Sequence, residues 1–143
     1  MRLVWFRNDL RLSDNPALRH GCASDEPVAA LFIISPTQWR QHKMAPIRQR
    51  FMLAQVDALG RELAALGIGL HLLRVETFAE VPAALADLCR DLGVTHLYAN
   101  QAIELDEQRR DHGVTAALAE QEVSCHWLNG CCVLPPGRVL TGG

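Results

Sequence analysis

The chain has 143 residues, 49% of them hydrophobic, and a formal net charge of −2. That much apolar material at single-domain length fills one sizeable core and excludes a disordered chain. The slight acidity, with a pI near 6.3, excludes a domain that grips a polyanion by itself, because nucleic-acid binders carry a basic excess on one face.

Arg2–Phe6 is a short apolar run rich in β-formers and predicts a first strand. These opening residues lack an apolar leader core and a small-residue cleavage site, so the expected location is cytoplasmic. The following segment, Arg7 to Asn15, is densely polar, with Asp14 or Asn15 expected to cap a short helix opened by Pro16. Asp9, Arg11 and Asp14 read as fold-specifying ion pairs and caps in preference to catalytic groups.

Val28–Ile34 predicts a second, buried strand, too short to span a bilayer. After the polar stretch 39–43, residues 46–66 predict a long helix. Ile47, Phe51, Ala54, Ala58, Leu63 and Leu66 are expected on its buried stripe, and Gly67 stops it. A third strand is expected over 70–75. Thr77 and Glu80 then have capping-box spacing ahead of an apolar stripe running to Gly93, although Pro82 points to a later start.

A fourth strand over 95–99 is followed by a helix over about 106–121. The first turn of that helix carries Asp106 and Glu107, which suit the positive end of its dipole, and Gly113 weakens its middle. Ser124–Leu128 predicts the fifth strand. Strands alternating with helices imply right-handed crossovers and a five-stranded, mainly parallel, doubly wound (Rossmann-like) sheet with helices on both faces. Residues 134–143 lose periodicity and gain turn residues, as at a domain edge.

In such sheets ligands bind beyond the carboxyl ends of the strands. The informative positions are therefore Arg7 to Asp9, residues 35–44 and residues 100–107. His42 lies in the second of these, and Asp106 with Glu107 in the third. By position alone a lone surface histidine is a solvated side chain, and the two acids serve equally well as dipole partners or as ligand acceptors.

The sequence has no G-x-G-x-x-G after the first strand, no phosphate loop, no H-E-x-x-H and no nucleophile elbow. Dinucleotide enzymes, kinases, hydrolases and metalloenzymes thus lose their usual supports. The five cysteines are odd in number, lack zinc-type pairing with histidine and fit a reducing compartment. Cys131 and Cys132 are adjacent, would bridge only through a strained ring, and read as packed thiols.

The segment Leu3-Val-Trp-Phe-Arg-Asn-Asp-Leu-Arg-Leu-Ser-Asp-Asn-Pro-Ala-Leu18 resembles the opening motif of the DNA photolyase and cryptochrome family. Similarity continues in Pro36-Thr-Gln-Trp39, His42-Lys-Met-Ala-Pro46, Gly93-Val-Thr-His-Leu-Tyr98, Glu104 through Asp111, Val133-Leu-Pro-Pro-Gly137 and Leu140-Thr-Gly142. It covers essentially the whole chain and is most like the N-terminal α/β domain of bacterial class I cyclobutane pyrimidine dimer photolyases.

The resemblance implies one domain over 1–143 that helps bind a light-harvesting antenna. A C-terminal helical domain, absent from this chain, would hold FAD and UV-damaged DNA, and the full-length protein would be monomeric, with no membrane or metal involved. It also implies that His42, Asp106 and Glu107 contact 5,10-methenyltetrahydrofolate. Asp106 stands where folate-binding relatives carry Asn, and Asn100-Gln-Ala-Ile-Glu104 resembles relatives that use a deazaflavin. Two other readings stay open: a domain of a cryptochrome photoreceptor, and a stand-alone nucleotide-binding α/β module, which would require glycine-rich phosphate contacts.

Overall fold

The computed structural model describes residues 1–129. Cys131, Cys132 and the family-like motifs after them lie outside the described residues.

Five strands alternate with helices. They are β1 (Arg2–Phe6), β2 (Val28–Ile34), β3 (Gly69–Arg74), β4 (His96–Asn100) and β5 (Ser124–Leu128). All neighbouring pairs are parallel, in the order β3-β2-β1-β4-β5. The strand order reverses direction at β1, which makes the edge beyond β1 and its neighbours the expected ligand side.

Helices α4 (Val81–Leu92) and α5 (Leu105–Ala119) cover one face, where Leu3, Trp5, Leu31 and Leu97 meet Leu85, Cys89, Val114 and Leu118. Helices α1 (Pro16–Gly21) and α3 (Pro46–Ala65) cover the other, where Val4, Phe6, Ala30 and Tyr98 meet Leu18, Leu59 and Leu63. Side chains alternate across a strand, so β1 sends Leu3 and Trp5 one way and Val4 and Phe6 the other. Strands buried on both faces read as the continuous apolar runs seen in β1 and β2. No helix among the described residues is long and apolar enough to cross a membrane.

Local signals explain most element ends. Asn15, not Asp14, caps α1: its side-chain oxygen accepts from the Leu18 N–H at 3.2 Å, and Pro16 follows at the first helical position. Gly93 ends α4 in the left-handed region at φ 68°, a conformation that costs glycine nothing. Gly113 has a packing reason for its place in α5, since a Cβ there would meet Pro82 Cγ at 3.0 Å. The expected capping box at Thr77 does not form. Glu80 instead accepts from the Glu76 N–H at 2.9 Å, a 3-10 turn spans Phe78–Glu80, and α4 starts at Val81 with Pro82 in its first turn.

One element was not anticipated and one expectation needs correction. A short helix, α2 (Pro36–Gln41), occupies part of the polar stretch before α3. It buries none of its residues completely, so it left no apolar period in the sequence. The stripe expected on α3 is also mostly wrong. Val56, Leu59 and Leu63 are its buried residues, while Ile47 and Phe51 are 72% and 64% exposed and Ala54, Ala58 and Leu66 are exposed too. Only the second half of α3 lies over the sheet, and the arc that faces it is set by packing that periodicity does not specify.

Candidate functional site

The three loops singled out beyond the strand ends converge. Arg7 and Asn8 after β1, residues from Ser35 to Ala45 after β2, and Glu104, Asp106 and Glu107 after β4 all line one cavity of about 470 Å³. This is within the usual size range for a small-molecule site. Its floor is made by strand-end residues Phe6, Phe32 and Ile33, and Trp39, Met44, Met52 and Phe78 add apolar and aromatic walls.

Behind the cavity lies a buried polar network. The Arg7 guanidinium donates to both oxygens of Asp111 at 2.9 and 2.7 Å, and each side chain is about 10% exposed. Arg7 also donates to the Asn100 carbonyl. The Asn100 side chain donates to Asp9 and to Asn15, and it accepts from the Ala17 N–H at 3.1 Å, while the Arg7 N–H donates to Asp9 at 2.8 Å. Asp9 therefore specifies the fold, as its sequence position suggested, by tying β1, β4 and the start of α1 together. Charges this deep are tolerated because they are paired and hydrogen-bonded.

Rings reinforce the cations. The Arg7 guanidinium lies 4.8 Å from the Trp5 ring centroid and 5.5 Å from that of Trp127. Arg110 lies 4.8 Å from Trp5 and 4.5 Å from Phe78. Cation and π-face attract most strongly where water is excluded.

His42, Asp106 and Glu107 all line the cavity. His42 ends α2, and the next residue, Lys43, turns the chain with φ 55°. His42 Nε2 lies 2.7 Å from Gln38 Nε2 and 3.5 Å from Asp106 Oδ2, and about half of each paired side chain is exposed. Asp106 is also 3.8 Å from Arg109. Glu107 is more enclosed: burial pushes its carboxyl above the ordinary 4.5, and the nearby Arg110 and Arg7 pull it partly back. The cavity thus offers an exposed histidine–aspartate rim, a half-buried carboxyl and aromatic walls. Such a set can hold a planar ring by stacking and by hydrogen bonds to its edge.

Arg110, Phe78 and Met52 shape this cavity without having stood out in the sequence. A signal for Arg110 and Asp111 was present: both precede Val114 and Leu118 on the buried side of α5. Charged residues on a core stripe demand partners. Elsewhere, burial pushes the thiols of Cys89 and Cys125 up to about 12 and about 11, which makes them poor nucleophiles. Among the described residues no group of three or more His, Cys, Asp or Glu is placed to hold a metal ion.

The family model described as DNA photolyase matches residues 2–143. The chain is 43% identical to the deoxyribodipyrimidine photo-lyase of Vibrio cholerae over 99% of its own length, and 40% identical to that of Escherichia coli over 98%. It spans 30% and 29% of those two relatives. Among solved structures, a cryptochrome of Synechocystis superposes with a TM-score of 0.78 at 23% identity, covering 89% of this chain and 27% of that one. That likeness shows the fold. The match along residues 2–143 shows that the chain belongs to the DNA photolyase family.

Proposed function

We propose that this chain is the antenna-binding α/β domain of a deoxyribodipyrimidine photo-lyase, a flavoenzyme that uses light to repair cyclobutane pyrimidine dimers in DNA. The observation that carries the reading is the convergence of three separate loops, bearing His42, Asp106 and Glu107, on one aromatic-walled cavity. The 43% and 40% identities to photo-lyases favour repair over a photoreceptor role. A nucleotide-binding module is disfavoured, because no glycine-rich loop stands after β1 to hold phosphates.

The antenna absorbs light and passes its excitation to FAD, which with the DNA contact belongs to protein outside these residues. The residues here bind and orient. Glu107 accepts from the edge of the ring, His42 and Asp106 hold its exposed side, and Trp39 and Phe78 exclude water. We assign 5,10-methenyltetrahydrofolate as the ligand, because a histidine before α3 and an acid in the first turn of α5 are the expected contacts for it, with a deazaflavin as the competing chromophore.

The test is titration of the chain with each chromophore, followed by fluorescence polarisation. Saturable binding of the folate is expected, weakened at least tenfold by Glu107→Ala. A charged hydrogen bond is worth about 1.5–3 kcal/mol, and about 1.4 kcal/mol is tenfold. Saturation by neither chromophore would overturn the proposal, whereas preferential binding of the deazaflavin would reassign the ligand.

A further inference from the structure

Two nitrogens meet at the end of α2. Gln38 Nε2 lies 2.7 Å from His42 Nε2, one helical turn further along. An amide nitrogen only donates, so this contact is a hydrogen bond only if His42 Nε2 is bare and accepts. The amide is held by a second contact: its Oε1 accepts from the Phe78 N–H at 3.4 Å, in the turn before α4. Turning the amide over would set its NH2 against that N–H, donor against donor. Among the described residues the Phe78 N–H has no other acceptor.

Asp106 pulls the other way. Its Oδ2 lies 3.5 Å from the same His42 nitrogen, and a carboxylate only accepts. Nε2 cannot accept from Gln38 and donate to Asp106 at once. Exposure decides between them. Asp106 is half-exposed and stands 3.8 Å from Arg109, so water and a cation serve it when the imidazole does not. The Phe78 N–H is part-buried and loses its acceptor outright if the amide turns. The contact to Gln38 is also the shorter of the two. The neutral imidazole therefore carries its proton on Nδ1, which has no partner among the described residues.

We propose that Gln38 is a positioning residue of the chromophore site: it sets the tautomer of His42, so that the imidazole meets the bound ring as an Nδ1–H donor and selects an edge bearing an acceptor, a carbonyl oxygen or a ring nitrogen. Gln38 acts through His42, which lines the cavity while Gln38 stands outside that lining. Backbone contacts hold the pair in place: the Gln38 N–H donates to the Glu76 carbonyl at 3.1 Å, and the His42 N–H donates to the Gln38 carbonyl at 3.0 Å. This rests on the reading of the cavity as a chromophore site and adds the polarity of one of its contacts.

The tautomer is read from the imidazole nitrogen chemical shifts of the ligand-free chain at about pH 8, above the ordinary histidine range, with His42→Ala identifying the signals. The proton should sit on Nδ1 in the wild type and move to Nε2 in Gln38→Glu, whose carboxylate only accepts. An Nε2 proton in the wild type, or an Nδ1 proton retained in Gln38→Glu, overturns the proposal. Fluorescence titration with 5,10-methenyltetrahydrofolate and with the deazaflavin then reads the consequence. Gln38→Glu should weaken the chromophore that binds by about fivefold, the worth of one neutral hydrogen bond, but by less than about twofold in a His42→Ala background. An equal loss with and without His42, or no loss, overturns the positioning role while leaving the chromophore site standing. If Gln38→Glu does not fold, the wild-type tautomer decides alone. Binding of neither chromophore overturns the site reading and the positioning role with it.

Discussion

Two aspartates on α5 play opposite parts. Asp111 is about 10% exposed and locked between two arginines, whereas Asp106, on the first turn, is half-exposed and pairs with His42 across the cavity rim. The same functional group, on the same helix, becomes a structural keystone in one place and an adjustable contact in the other. What differs is solvent: a buried charge stripped of its partner has no water to replace it, and an exposed one does. The cavity is therefore built on a rigid floor with a tunable edge.

The sharpest way to break this comparison is Asp111→Asn. The substitution keeps the shape but leaves Arg7 and Arg110 without their counter-charge, and breaking a buried pair costs about 3–5 kcal/mol. A urea midpoint should fall accordingly. A loss below about 1 kcal/mol would mean that the network is no more structural than the rim.

Glu107 lies between the two extremes, and its test is pH. Burial raises its carboxyl in the folded chain above the ordinary 4.5 that applies when unfolded. The fold thus holds that proton more tightly than the unfolded chain does. The stabilisation is fully present below 4.5 and is lost as pH rises through the raised folded value. Glu107→Gln has no proton to lose there. The wild type should weaken relative to the variant from pH 4 to pH 8 in urea unfolding, and parallel profiles would show that the carboxyl is not perturbed.

The same contrast explains what could be read from the sequence. The bounds of β1, β2 and β5 coincide with their apolar runs, and β3 and β4 shift by a single residue; the buried runs of β1, β2 and β4 leave a local signature, and the partly exposed edge strands β3 and β5 are bounded by turn residues. The three loops that line the cavity followed from the strand ends. The identity of the buried arc of α3 did not follow, since Ile47, Phe51, Ala54 and Ala58 form as good a stripe as Val56, Leu59 and Leu63 and only the sheet chooses between them. Likewise Phe78 reaches the cavity from the turn before α4 and Arg110 from α5, and Arg7 meets Asp111 across 104 positions, which no local pattern encodes.

The smallest stability effect belongs to the rim, where it is most informative about function. Asp106→Asn removes one half of an ion pair whose side chains are 48% and 51% exposed, and such pairs contribute about 0–1 kcal/mol. The urea midpoint should barely move. Binding should nevertheless change, because the amide supplies the donor that the resemblance to folate-binding relatives places there. One added neutral hydrogen bond, worth about 1 kcal/mol, corresponds to roughly a fivefold gain in folate affinity in a fluorescence titration. Unchanged affinity would place the ring away from the rim and on the rigid floor, leaving Asp106 as a surface charge like any other.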